Sequence, residues 1–130
     1  MYYPLVVSDF LDRAETVYPD RVGIVDEPDQ PAPSWGDVTY REIARRARAQ
    51  AAWLDSLDVP RGGRVAIVSH NSARMLTSFF GVSGFGRAYV PINFRLSRSE
   101  IRYIVGHSGA QTVYCDPEQE KMIFSCSGSQ

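Results

Sequence analysis

Apolar residues recur at helical spacing from the start of the chain, at Phe10, Leu11, Ala14, Val17 and Tyr18. Ser8 is a candidate N-cap with Asp9 in the first turn, and Pro19 stops the run. The β-branched stretch Val22 to Val25 reads as a short strand. Pro28, Pro31, Pro33 and Gly36 then exclude regular structure, and Val38-Thr39-Tyr40 can pair back as a second short strand. Thr39 and Glu42 have the spacing of a capping box and open a long helix to about Leu57, with Ile43, Ala47, Ala51 and Leu54 in line. Arg41, Arg45, Arg46 and Arg48 on this helix could form a phosphate patch. A solvated face explains them better, because Glu42 precedes Arg46 at the favourable i,i+4 distance.

The pattern becomes regular after Arg61. A Gly62-Gly63 turn leads into the buried-strand run Arg64 to Ser69, and Asn71 or Ser72 caps a helix with Met75, Leu76, Phe79, Phe80 and Ser83 on one side. Gly84 and Gly86 end that helix, and Ala88 to Ile92 is the next strand. Ser97 and Glu100 form a second capping box ahead of a helix whose face is Ile101, Ile104, Val105 and Ser108. Gly109 sits where a C′ glycine belongs, and Gln111 to Cys115 is a third strand. The strands start at residues 64, 88 and 111, so each repeat takes about two dozen residues. A helix in every connection implies parallel strands with right-handed crossovers. The fold class is α/β: a β-α-β-α-β parallel-sheet portion preceded by a helix, short strands and a long helix.

Composition narrows the function classes. The 130 residues, 44% apolar and 22% charged with a net charge of −1, fit one ordinary globular domain. Bulk electrostatics therefore give no affinity for nucleic acid or anionic membrane. No apolar run is long enough to span a bilayer, no signal-peptide pattern opens the chain, and two cysteines build neither a disulfide framework nor a four-ligand zinc site. The expected compartment is the cytoplasm.

The local chemistry is sparse. Gly81, Gly84 and Gly86 lie at a helix end rather than between a strand and a helix start, so they read as packing and capping residues, not a phosphate loop. Loops after strand ends are where open α/β sheets place ligands: here Ser69 to Ser72 and Asn93 to Ser97. His70 is a loop histidine with no Asp or Cys placed to orient it, and Asn71 and Ser72 are caps. Arg95, beside Phe94 and a helix N-terminus, can attract an anion or a nucleobase, against the alternative of a structural salt bridge. Cys115 reads as a core residue, and Cys126 supports nothing. The acidic pair of a phospho-receiver, G-x-x-x-x-G-K-[ST] and G-x-S-x-G are all absent.

The ordered strings are informative where single motifs are not. Thr39-Tyr40-Arg41-Glu42, Gly63-Arg64-Val65-Ala66-Ile67 with Asn71, Pro91-Ile92-Asn93-Phe94-Arg95-Leu96-Ser97, and Glu100-Ile101 through Ala110 follow at matching spacing. Together, over roughly residues 5 to 118, they resemble the N-terminal segment of AMP-forming acyl-CoA synthetases, the fatty-acid–CoA ligase branch of the adenylate-forming superfamily. The resemblance implies a two-step reaction in which a fatty acid and ATP give an acyl-adenylate, with Mg²⁺ aiding, and CoA then displaces AMP. It also implies that the phosphate loop and the mobile C-terminal domain lie beyond this region, so the chain is expected to be inactive alone and to hold ATP, CoA or Mg²⁺ only weakly. Asn93, Phe94 and Arg95 match a loop that in some relatives lies near the nucleotide end of CoA. No catalytic or metal-ligating residue is expected.

On this resemblance residues 1–120 are the N-terminal part of an AMP-binding domain, the opening quarter of a longer enzyme. All thirteen arginines precede the only lysine, Lys121, and residues 121–130 read as a non-family tail from a shifted frame or an early, unrelated terminus. The rival readings are a non-catalytic CoA- or nucleotide-binding module, an α/β module whose open sheet edge docks another polypeptide, and a degraded gene.

Overall fold

The first helix begins two residues earlier than a cap at Ser8 suggests, with Val6 as its N-cap. In the computed structural model, which describes residues 4–124, α1 runs Val7–Val17. Its entry is closed by Asp9, whose carboxylate accepts the Val6 amide at 2.8 Å. The short strands β1 (Val22–Val25) and β2 (Asp37–Thr39) pair antiparallel as expected. The long helix α2 (Tyr40–Ser56) follows, and its apolar line Ile43, Ala47, Ala51 and Leu54 is buried together with Ala44. Thr39 caps it by accepting the Glu42 amide at 3.3 Å.

Only half of that capping box forms. Glu42 does not reach back to Thr39, because Arg45 (2.7 Å) and Arg46 (2.6 Å) donate to its carboxylate and hold its pKa down at about 2. Arg41 pairs with Asp20, and Arg48 with Asp12 and Glu15 of α1. Each arginine of the cluster thus has a carboxylate partner, which leaves no phosphate patch.

The remaining elements are β3 (Arg64–Ser69), α3 (Ala73–Ser83), β4 (Ala88–Asn93), α4 (Arg98–Ser108), β5 (Thr112–Cys115) and α5 (Pro117–Phe124). The last helix runs through the 120/121 boundary and buries Ile123; residues 125–130, including Cys126, lie outside the described part. Strands β3, β4 and β5 form one parallel sheet in the order β4-β3-β5. Right-handed crossovers that step first to one side of β3 and then to the other must place their helices on opposite faces. The cores agree. Val65 packs with Leu54 and Val82 of α2 and α3, whereas Ala66 and Val68 pack with Ile92, Ile101 of α4 and Ile123 of α5. Leu54, Ile92, Ile101, Val65, Val68 and Val82 are completely enclosed, each stabilising the fold by about 1.5–3 kcal/mol.

The second capping box is complete: Ser97 accepts the Glu100 amide, and the Glu100 carboxylate accepts the Ser97 amide at 2.8 Å. Gly109 ends α4 at φ 67°, a left-handed conformation that glycine adopts without Cβ strain. Gly84, by contrast, closes α3 in a right-handed helical conformation, and the left-handed turn falls on Gly86.

The face of α3 differs from the bulk-hydrophobic one. Its buried line is Ala73, Thr77 and Gly81, with Val82, while Leu76 is 48% exposed. The reason is helix–helix distance. A Cβ on Gly81 would stand 3.0 Å from the Ala47 carbonyl oxygen and collide with Gln50, so α2 and α3 approach through small residues. The bulky side chains go to the flanks, where Phe79 meets Tyr89 edge-on at 5.8 Å and Phe80 joins the α1–α2 core. No helix among the described residues is long and apolar enough to cross a membrane.

Candidate functional site

Parallel strands bring all their carboxyl ends to one edge of the sheet, and the residues singled out in the sequence collect there. A groove of about 340 Å³ lies between the loops after β3 and β4, lined by Ser69, Asn71, Met75, Asn93, Phe94 and Arg95. Asn93 shapes its far wall, since its side-chain oxygen accepts the Arg95 amide at 2.9 Å and turns the chain toward α4. The Arg95 guanidinium carbon rests 5.3 Å from the centre of the Phe94 ring. Arg95 has no carboxylate partner among the described residues, so the alternative of a structural salt bridge is not what the fold adopts.

His70 is not isolated. Its ring stacks on Phe94 with centroids 3.6 Å apart and planes 22° from parallel, and its Nε2 lies 2.7 Å from Glu118 Oε1. Its amide donates to Asp116 Oδ2 at 2.7 Å, and Ser69 Oγ donates to the other oxygen at 2.9 Å. Asp116 is buried and Glu118 opens α5, so both follow β5. Local sequence pattern points to the loops after β3 and β4 and carries no mark on the one after β5. The signal that finds Asp116 and Glu118 is the parallel register itself, which delivers the end of β5 beside the end of β3. The hydrogen bond from His70 holds the Glu118 carboxyl below its ordinary pKa. The four side chains make a chain of contacts from Glu118 through His70 and Phe94 to Arg95. It fixes a cation at the mouth of the groove.

Cys115 is partly buried, and burial first, then the charges of Glu120 and Asp116, push its thiol pKa up. A raised pKa disfavours the thiolate, the reactive form of a cysteine. A second cavity, of about 320 Å³, opens on the other side of Asp116, over Ile67 and Tyr114 and under Trp35, Trp53 and Thr77. Arg46 stands 3.8 Å and Arg74 4.8 Å from the Trp35 ring centre. Among the described residues no three His, Cys, Asp or Glu side chains converge to hold a metal ion.

A three-stranded parallel sheet with helices on both faces, and a groove at its carboxyl edge where such sheets place their ligands, define an open α/β class of protein. Within that class, the model of the AMP-binding enzyme family matches residues 11–129, and the chain belongs to that family. The matched region corresponds to the N-terminal segment of AMP-forming acyl-CoA synthetases in the adenylate-forming superfamily. A 4-hydroxybutyrate–CoA ligase of Metallosphaera sedula is 34% identical over 82% of this chain and 18% of its own length. A long-chain-fatty-acid–CoA ligase of Thermus thermophilus is 33% identical over 92% of this chain and 22% of its own. Among solved structures, an anthranilate CoA ligase in complex with anthranoyl-AMP superposes with a TM-score of 0.83 at 26% identity, over 95% of this chain and 22% of that one. A Mycobacterium tuberculosis fatty acyl CoA synthetase gives 0.81 at 27% identity, over 95% and 24%. The chain spans about a fifth of the length of the curated relatives it matches.

Proposed function

We propose that this chain is the N-terminal scaffold segment of an ATP-dependent, AMP-forming fatty-acid–CoA ligase, and that its groove receives the nucleotide end of CoA. The observation that carries the second part is Arg95, a guanidinium with no carboxylate partner among the described residues, held over Phe94 at the carboxyl edge of β4. The relatives take acids as different as 4-hydroxybutyrate, a long-chain fatty acid and anthranilate, and what they share is CoA. A common segment therefore suits CoA better than the acid, and the fatty-acid assignment rests on the long-chain ligases alone.

The residues present fit one part of that chemistry. A guanidinium offers a planar fork to a phosphate oxygen pair, and the α4 N-terminus adds a partial positive charge nearby. Phe94 positions Arg95, and His70 with Glu118 holds Phe94 in place, so the cation is ordered before an anion arrives. The same residues do not fit a magnesium–ATP centre, which needs converging carboxylates and a phosphate loop that the sequence does not contain. No adenylation step is written through them, and the chain by itself is inactive in this reading.

Titration of CoA by calorimetry into the 130-residue chain and into Arg95→Ala tests the site. Weak binding that falls in the variant supports it, and equal binding removes Arg95 from the proposal. A thioester assay with ATP, Mg²⁺, CoA and a fatty acid tests the second statement, and turnover by the purified chain would overturn it.

A further inference from the structure

The cavity beside Asp116 holds more positive charge than its neighbours neutralise. Two guanidiniums stand against the Trp35 ring, those of Arg46 and Arg74. Glu42 answers the first, accepting from Arg46 at 2.6 Å. Arg74 takes part in no ion pair among the described residues, and its Nη1 is buried without a hydrogen-bond acceptor there. A guanidinium offers donors only, so a buried Nη1 in this position calls for an acceptor from outside. Thr77 is three residues further along α3 and so lies on the same helix face. It is 3% exposed and lines the cavity with a hydroxyl that also has no partner among the described residues. Asp116 borders the cavity but is not the missing acceptor. Its oxygens take the Ser69 hydroxyl and the His70 amide, and it makes no ion pair with Arg74.

The rest of the lining has a different character. The indoles of Trp35 and Trp53 and the phenol ring of Tyr114 supply aromatic surface, and Ile67 adds an aliphatic patch. A space of about 320 Å³ is at the small end of ligand pockets and suits a single-ring molecule. Aromatic walls gain from offset or edge contacts with an aromatic ring. The planar fork of a guanidinium matches the two oxygens of a carboxylate. One cation is uncompensated, so one negative charge balances the site, whereas a polyphosphate would bring several beside Asp116.

We propose that this cavity binds a small aromatic monocarboxylate, with its carboxylate on Arg74 Nη1 and the Thr77 hydroxyl and its ring among Trp35, Trp53 and Tyr114. The site is separate from the groove of Arg95, with which it shares only Ser69 and Met75. It does not depend on CoA binding, and no step of the ligase reaction is placed in it.

Trp35 and Trp53 are the only tryptophans of the chain, so intrinsic fluorescence reports this cavity directly. Titration of the full chain with sodium benzoate should quench it saturably, with a Kd below about 1 mM. Benzyl alcohol keeps the ring without the charge, and acetate keeps the charge without the ring. Each should bind about tenfold more weakly than benzoate. Arg74→Gln should weaken benzoate about tenfold and leave benzyl alcohol within about twofold. Thr77→Val keeps the shape, removes the hydroxyl and should weaken benzoate about threefold. Arg102→Gln removes an exposed charge on α4, outside the cavity, and should bind benzoate as the parent does. Circular dichroism checks that each variant is folded, and if Arg74→Gln is not, the three probes on the parent chain still decide. Absence of saturable quenching would mean a cavity that holds water only, and would overturn the proposal. So would equal affinity for benzoate and benzyl alcohol, undiminished benzoate binding by folded Arg74→Gln or Thr77→Val, or an equal loss in Arg102→Gln. A failed CoA titration would count against the functional reading of the groove and leave this result standing.

Discussion

The carboxylate of Asp26 accepts the backbone amide of Ala73 at 2.7 Å, joining the end of β1 to the first turn of α3. The same buried side chain accepts the Trp35 amide at 2.8 Å, the Gln30 amide group at 2.8 Å and the Glu27 amide at 3.1 Å. It organises the proline-rich loop that the sequence marks only as irregular, and it anchors the start of the helix behind the groove.

Asp26→Ala is therefore expected to destabilise the fold by about 3 kcal/mol, since several buried donors lose a charged acceptor at once. Burial pushes the Asp26 pKa up, and the bonds from Trp35, Ala73, Gln30 and Glu27 outweigh it, so the net shift is downward. With the folded-state pKa lowered, the stabilisation is present at neutral pH and is lost as pH falls through that lowered value. Urea titrations across the acid range should show the parent losing stability there and the variant losing less.

Arg87 and Asp55 form an ion pair of unequal halves, with side chains 4% and 72% exposed. Arg87 also donates twice to the Val59 carbonyl, at 2.9 and 2.7 Å, clamping the start of β4 to the turn before β3. Arg87→Ala should cost about 3 kcal/mol, because it leaves a buried carbonyl unpaired and a void. Asp55→Asn should cost under about 1 kcal/mol, since its end of the pair is solvated. Comparable losses in thermal melts of the two variants would show that the ion pair, not the carbonyl clamp, is what matters.

Two helical glycines should respond with opposite sign. Gly81→Ala forces a Cβ to 3.0 Å from the Ala47 carbonyl oxygen and should destabilise by about 1–3 kcal/mol. Gly106→Ala in α4 meets nothing within 4 Å and should stabilise by about 0.5–1 kcal/mol through backbone entropy. Chemical denaturation of both variants checks the pair.

Arg95→Ala should weaken CoA binding about tenfold, the scale of one charge-assisted hydrogen bond. Arg95→Lys should recover only part of the loss, because an ammonium lacks the planar fork. Neither variant should move the melting temperature beyond error, and a matching loss of stability would make Arg95 a structural residue instead.

Glu118→Gln should loosen the His70 ring over Phe94 without unfolding the chain. Because the His70 hydrogen bond lowers the Glu118 pKa, the contact persists below the ordinary carboxylate range and is lost as pH falls through that lowered value. The His70 ring signals in NMR report both effects. A ring environment identical in parent and variant would dissociate Glu118 from the stack.

Much of the scaffold was legible in the chain. Periodicity and caps locate every strand, and every helix except α5 (Pro117–Phe124), within one or two residues, and the Ser97–Glu100 box and Gly109 form as expected, because such motifs are decided by neighbours in sequence. The α3 face was not legible. Hydrophobicity marks Leu76 and Phe79 as core, but a residue is buried by what lies opposite it, and α2 offers a surface that only Ala73, Thr77 and Gly81 can meet closely.

By itself, the sequence determined the β-α-β-α-β order, the parallel sense of the sheet and the placing of Asn93 at a strand end with Phe94 and Arg95 just after it. Tertiary structure alone decided the β4-β3-β5 order, and with it the meeting of His70 with Glu118, 48 positions apart, and of Asp26 with Ala73, 47 apart. The physical reason is one of range. Caps and periodicity are set within a helical turn or two, whereas a convergent polar cluster exists only once parallel strands bring distant carboxyl ends to the same edge.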